Sequence, residues 1–402
     1  KASGTVAIGK SALAALTSGA RNTAVGYISS LAVTTGADNT SLGYYSLQEL
    51  VDGSQNTAIG AYALGSMGTG TTGDGSSHNT TLGYNSGGGN WADQDCSNIV
   101  AIGSQALAGA LAGDGADGSV AVGKSALTAL TSGAGNTAVG FESQATAQDQ
   151  GDFNTSVGYR ALKGLNPDSD GDGDNTAVGY ISCSGITNGV KNTGVGSQSL
   201  ASADGAEEGN TAIGYKSGYN INNGSNNCFI GSETNGSAVN ASGQIAIGKG
   251  VTCAANETIT VGFGTNIASL GLDGSDTSWA ASSDERLKEN ITTSTAGLSF
   301  INDLRPVTYN WKKAGEIPED MPQYVEDSED PCLGSEYGET LHGFIAQEVK
   351  TVIDNHSELK EGFKMWKVKD DKTQTIADGN LIPMLVKAVQ ELTAKVEALE
   401  AK

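Results

Sequence analysis

Asn22-Thr23-Ala24-Val25-Gly26-Tyr27 is one copy of a phrase that occurs fifteen times before residue 264, about every 18 residues. Its anchor is a glycine, first Gly9 and last Gly262, and many of the gaps are 17 residues. Self-similarity at a fixed short period marks a stacked repeat, in which one coil cannot bury its apolar side alone whereas a stack can. This feature rules out an ordinary globular core for the first two thirds of the chain.

The residue before each glycine is aliphatic, as in Ile8, Leu42 and Val261. The residue three before it is β-branched in every copy except Cys228. Between them sits a small residue such as Ala24, Ser41 or Ala101, with Phe229 the lone large one. Side chains alternate along a strand, so the first two columns share one face and the small column takes the other. The pattern predicts a wide apolar face and a narrow face that lets another backbone approach closely. Four before the glycine Asn dominates, as in Asn22, Asn39 and Asn136. Asn tolerates the left-handed conformation and bonds its own backbone, which suits a turn entering a strand, and stacked amides can ladder. A second apolar pulse follows the glycine, as in Ser11-Ala12-Leu13 and Ala126-Leu127, and predicts a second short strand per turn. A disordered Gly/Ser/Asn linker would lack this alternation.

Composition agrees with an elongated stack: 6% aromatic residues and 57 glycines in 402 are thin material for a globular core. The formal charge is −22, and no basic stripe exists, so nucleic acid is not an expected partner. An acidic surface keeps a protein soluble. The five cysteines, Cys96, Cys183, Cys228, Cys253 and Cys332, show no metal-type spacing and read as reduced thiols. Three scattered histidines do not make a zinc site. No run of 18 apolar residues exists, so no membrane insertion is expected. Lys1 falls inside a repeat, which leads us to expect an attachment region before it.

Four stretches interrupt the repeats with longer excursions, at 68–78, 90–95, 113–118 and 165–174. Loops on a rigid scaffold are where recognition usually sits. His78 and Trp91 are the insertion residues with obvious contact chemistry. Asp168, Asp170, Asp172 and Asp174 resemble the front of a calcium loop, but Gly179 stands where the bidentate Glu is required. They are weak metal candidates, a solvated acidic turn is the preferred reading, and no cofactor is expected.

The chain changes character after Gly274, where glycine thins and Lys, Glu, Pro and Trp appear. The division read from the sequence is 1–265 for stacked repeats, 266–282 for a linker and 283–402 for a separate C-terminal domain. Near the end, Ile382, Leu385, Val389, Leu392, Val396 and Leu399 step by 3, 4, 3, 4, 3. That is a heptad seam, with Pro383 in a first helical turn, and it predicts a coiled-coil helix that needs partner chains.

Several separate phrases in this last third carry a family resemblance. They are Ser283-Asp284-Glu285-Arg286-Leu287-Lys288, the stretch 300–312 around Arg305-Pro306-Val307, His342-Gly343-Phe344-Ile345-Ala346-Gln347-Glu348-Val349, and Asn380-Leu381-Ile382-Pro383. Together they resemble the endosialidase-type intramolecular chaperone domain at the C-terminus of phage tailspikes and tail fibres. The resemblance implies a trimeric chaperone that assembles the preceding fibre and then releases itself by autoproteolysis. It places a nucleophile at Ser283 and its lysine base at Lys288, with Ser282 and Asp284 flanking the cleavage. A serine needs a base to become a nucleophile, and a lysine serves if desolvation lowers its pKa. From local sequence alone, the preferred reading is that Ser283 caps a helix whose first turn carries Asp284 and Glu285; the resemblance reverses that preference, and the two roles are compatible.

The repeat phrase is similar to the head of trimeric autotransporter adhesins, which implies a left-handed parallel β-roll of three chains. No binding residue carries over from it. The resulting expectation is a mostly β homotrimer: an elongated parallel β-roll or solenoid, then a small α+β chaperone ending in a coiled-coil helix. Its function would be that of a virion tail fibre meeting a host cell-surface receptor, a glycan in the first instance, alongside other tail proteins. Single-turnover self-cleavage is expected, with no activity on an external substrate. The alternatives are a bacterial trimeric adhesin head and a tailspike acting on host polysaccharide. The first needs a membrane β-barrel anchor and the second a carboxylate pair on a rigid cleft.

Overall fold

A computed structural model of the chain describes residues 3–66, 75–91, 96–111, 115–146, 151–166, 173–203, 205, 207–274, 279–281, 283–334, 338–359 and 363–402. Two compact units divide at Ser283 and Asp284.

The first unit is a parallel β-solenoid. Thirteen strands of three residues run from β1 (Val6–Ile8) to β13 (Cys228–Ile230), followed by β14 (Ile245–Lys249) and β15 (Thr258–Phe263). Each pairs in parallel with the next copy of the repeat, Thr23 beside Thr40 and Val25 beside Leu42, so equivalent residues form columns. Fourteen such steps at about 4.8 Å give a stack roughly 67 Å tall. Two further strands follow within 266–282, the segment read as a linker. β16 (Asn266–Gly271) runs antiparallel to β15, and β17 (Ala280–Ala281) antiparallel to β16.

Burial inverts the expected use of the two faces. The small column points into the coil: Ala24, Ser41, Ala58 and Ala138 are fully buried. The Thr and aliphatic columns point outward, and Ile8, Leu42, Leu82 and Ile213 stay exposed in the single chain. The small residues are therefore small because large ones face them from across the coil. Leu47, Leu64, Leu107 and Leu127 arrive from the return leg and fill the interior against the alanines.

The return leg is not a second strand. Its residues alternate into the left-handed region, with φ of 56° at Tyr45 and 51° at Leu47. Hydrogen bonds between coils hold them there: Tyr45 N–H donates back to Tyr27 C=O, and Leu47 N–H donates forward to Ala63 C=O. A non-glycine residue in this region costs about 1–2 kcal/mol and persists only where its surroundings dictate it. The anchor glycines meet a stricter demand. At Gly140 φ is +136°, and a Cβ would lie 2.3 Å from the Gly158 carbonyl oxygen of the next coil.

The amides do ladder. Asn56 Nδ2 and N–H both donate to Asn39 Oδ1, and Asn192 does the same to Asn175. Each Nδ2 also reaches a loop carbonyl, as Asn175 to Gly189. These side chains are buried, and the hydrogen bonds offset the 1–3 kcal/mol penalty of leaving each such group unmade. The left-handed turn residue is the one before the Asn, such as Arg21, Asp38 or Gln55, and not the Asn itself.

The second unit spans Asp284–Lys402 and mixes helix and strand. Its order is α1 (Leu298–Asp303), β18 (Val307–Tyr309), β19 (Leu341–Gly343), α2 (Ala346–Asn355), β20 (Trp366–Val368), β21 (Gln374–Ile376) and α3 (Ile382–Glu400). β18 pairs antiparallel with β19, and β20 with β21. Phe300, Leu304, Val349, Ile353, Met365 and Leu381 form its core.

Candidate functional site

The segment read as self-cleaving lies at the division between the units. Ser283 is exposed. Glu285–Leu287 form a single 3-10 turn, and its N-cap is Asp284, not the Ser283 that the sequence suggested as cap. Asp284 accepts from Arg286 N–H at 2.9 Å and from the Arg286 guanidinium at 2.6 Å. The guanidinium and that backbone N–H hold the Asp284 carboxyl below the usual carboxylate range. Lys288 closes the turn by donating its backbone N–H to Glu285 C=O, and its side chain is exposed. Ser282 lies outside the described residues. A serine and a lysine five positions apart supply the two groups that acyl transfer needs, a nucleophile and a proton acceptor. Both face solvent in the single chain.

α3 begins at Ile382 with Pro383 inside its first turn. The six seam residues, Ile382, Leu385, Val389, Leu392, Val396 and Leu399, are all exposed, Leu399 at 69%. The opposite side of the helix packs on its own domain. Ala388 is buried, and the Glu391 carboxylate accepts from Leu298 N–H at 3.0 Å. That contact supplies α1 with the N-terminal acceptor that its Gly297 cap lacks. Gly297 is required there, since a Cβ would come within 2.8 Å of the Lys387 side chain. One helix thus serves two masters: its inner side closes the domain and its seam is left over.

A further charged cluster was not foreseen from the sequence. His356 is nearly buried and joins two elements, with Nε2 2.8 Å from Asp303 and Nδ1 2.9 Å from Glu358. Phe300 packs against its ring edge-on. The Glu358 and Asp303 carboxylates raise its pKa, outweighing burial. Asp303 stands 53 positions from His356, too far for spacing to have announced the pair.

In the solenoid, Asp174 is exposed at the left-handed position before the ladder amide Asn175, a structural place that explains its short polar side chain. Asp168, Asp170 and Asp172 lie outside the described residues. His78 is exposed and also takes a left-handed turn position. Trp91 corrects its expected role in a surface loop, because it is fully buried in the solenoid core. It fills space above Gly87, which stands in a column where seven coils carry Leu. Among the described residues, the thiols of Cys96, Cys183 and Cys253 are buried and those of Cys228 and Cys332 half-buried, and none of the five is in a disulfide. Burial pushes Cys183 up to about 12, so it stays a thiol packing as a small apolar group. No helix among the described residues is long and apolar enough to cross a membrane.

Residues 283–358 match the family model described as chaperone of endosialidase. The matched stretch opens on Ser283 and takes in α1, β18, β19 and α2, while the domain core continues past it to Met365, Leu381 and α3. No curated protein matches the chain. The chain therefore joins a long β-solenoid to a chaperone-of-endosialidase domain near its C-terminus.

Proposed function

We propose that this chain is a homotrimeric virion tail fibre whose solenoid meets a host-cell surface and whose C-terminal domain assembles it and is then released. The observation that carries the reading is the family match at 283–358, immediately after a solenoid. A folding domain in that position acts on the segment before it. Its exposed α3 seam supplies a surface through which three copies would register. Three equal copies of each solenoid loop would let weak receptor contacts add by multivalency, a glycan being the natural partner. Other tail proteins would hold the remainder of the fibre.

Release is assigned to Ser283 with Lys288 as its base. A solvated lysine is a poor proton acceptor, and desolvation lowers its pKa. Contact between copies would be the source of that desolvation. Scission beside Ser283 would then follow correct assembly and not precede it. The Ser283 hydroxyl would attack an adjacent peptide carbonyl and pass its proton to the Lys288 amine, the lysine would return that proton to the departing amine, and water would hydrolyse the ester left on Ser283.

Ser283→Ala is expected to leave the chain at its full 40.7 kDa on a denaturing gel while keeping the assembled mass in solution. Lys288→Ala should behave the same way. A truncated product from either variant would refute the assignment, and a monomeric wild type would refute the homotrimer.

A further inference from the structure

The turn after each anchor glycine carries most of the solenoid's exposed rings. Of the fifteen residues one position past the glycine, eight are aromatic, among them Tyr27, Tyr159 and Phe263. Along much of the stack these rings cover one another: Phe141 stacks on Tyr159, and Tyr159 on Tyr180, both at 5.4 Å. Towards the end the covering stops. Ser197 and Ser232 stand in the column on either side of Tyr215, so no neighbouring ring of the column lies over its faces. Tyr215 is 47% exposed, and Phe263, which ends the column, 65%.

The cations sort along the same turn. Among the described residues of the solenoid, Arg21, Arg160, Lys163 and Lys191 are held by carboxylates. Lys10, Lys124, Lys216 and Lys249 are in no ion pair there, and each ammonium lies 5.4–6.0 Å from the centroid of an exposed ring. Acid is not scarce, since residues 1–282 hold 22 Asp and Glu against nine Lys and Arg. Glu233 stands one coil above Lys216, in the column where Arg160 takes Glu142 from one coil below. Lys216 nevertheless turns its ammonium to Tyr215 and Tyr219, 5.4 Å from each ring. At the outer limit of a cation–π contact, ammonium and ring flank one patch of surface.

We infer that the end of this column, from Ser197 to Phe263 with Lys216 and Tyr219 beside it, is a binding site for an acidic glycan, one whose pyranoses carry carboxylates. The inference rests on the host-surface reading and narrows its glycan. The apolar C–H face of a pyranose packs on an uncovered aromatic face, which Tyr215 and Phe263 offer. Its carboxylate pairs with Lys216 or Lys249 through a charge-assisted hydrogen bond. The serines leave the height this needs. Tyr180 and Tyr215 are two coils apart, as are Tyr215 and Lys249, and two steps of about 4.8 Å open roughly 9.6 Å between them. The two lysines are also two coils apart, so one run of acidic sugars laid along the stack meets both. A neutral glycan would use the rings and leave both ammonium groups unanswered.

Retention of the full chain on immobilised polygalacturonate, alginate, hyaluronan and neutral dextran tests the site, at about 0.15 M salt so that distant charges are screened. At least one acidic polymer should retain the wild type, and dextran should not. Lys216→Met/Lys249→Met keeps the apolar stems and removes both charges, and it should weaken retention by about tenfold or more. Tyr215→Ala/Phe263→Ala should do the same. Lys191→Met removes a charge that Glu208 holds elsewhere on the solenoid, and it should change nothing. An unchanged melting temperature in each variant keeps folding apart from binding. Retention on an acidic polymer that survives both double variants, or that falls equally in Lys191→Met, would overturn the site and leave the glycan reading standing. Retention on dextran alone would overturn the acidic class. Retention on none of the four would overturn both.

Discussion

Phe229 is the one bulky residue in a column of alanines, and its neighbour explains how it fits. Seven coils place Leu four residues after the glycine, whereas here Gly218 occupies that position, and a Cβ on it would lie 2.9 Å from the Phe229 ring. Volume is conserved across the coil, large facing small, as close packing requires. Trp91 above Gly87 is the same exchange. In the second unit the residue with most leverage is His356. Its pKa is raised from 6.5, so the stability it contributes is full below 6.5 and lost as pH rises through the folded value. Glu358 is lowered from 4.5, chiefly by the same hydrogen bond, so its contribution is full above 4.5 and lost as pH falls through its folded value. The second unit should therefore be most stable between pH 4.5 and 6.5. His356→Gln keeps a hydrogen-bonding side chain and removes the charge. It is expected to flatten the alkaline limb of the melting temperature measured against pH, and a limb as steep as wild type would show that the imidazolium does not hold α1 to the turn at Glu358.

The elements were legible in unequal measure. Fifteen strands and their register could be read directly, because a 17- or 18-residue period leaves one consistent way to stack the columns. Which column faced inward could not. Alternation separates two faces without saying which is buried, and the decision rests on the Leu side chains of the return leg. That leg was misread as a strand because its apolar pattern resembles one; its alternating left-handed backbone has no compositional mark beyond the anchor glycine. The α3 seam was legible, since 3-4 spacing belongs to helix and its span is long. What spacing could not reveal is that Ala388 and Glu391 on the opposite side tie the helix to α1. This division predicts a clean experiment. Leu392 is 51% exposed in the single chain, so Leu392→Asp should leave the circular dichroism of the domain unchanged. Assembly should weaken by the ~1.5–3 kcal/mol lost for each buried Leu, read as a mass that falls from trimer to monomer on dilution. Unchanged trimer at low concentration would mean that the seam is not the contact.

At the scale of the whole chain, the two units have opposite folding problems. The second unit closes around a single core, with α1 resting on α3 from the far end of the unit. The solenoid is a ladder of strands, each satisfied only by the coils before and after it, so a partly built stack always ends in an unpaired edge. Such edges are templates for mispairing, and non-local parallel sheets form slowly enough to expose them. The outward aliphatic face adds a second hazard, because it is apolar from the first coil to the last and has no charge to keep stray copies apart. A C-terminal unit that brings three chain ends together would raise the local concentration of correct partners before those surfaces meet wrong ones. Deleting Asp284–Lys402 should then send most of the solenoid into aggregates or isolated chains when it is refolded from denaturant. Supplying the same segment intact and removing it after assembly should leave the trimer unharmed, since by then each edge and face is occupied. Refolding yields measured by light scattering, with and without the segment, would decide the matter, and an equal yield of soluble trimer from the truncated chain would show that the solenoid finds its partners unaided.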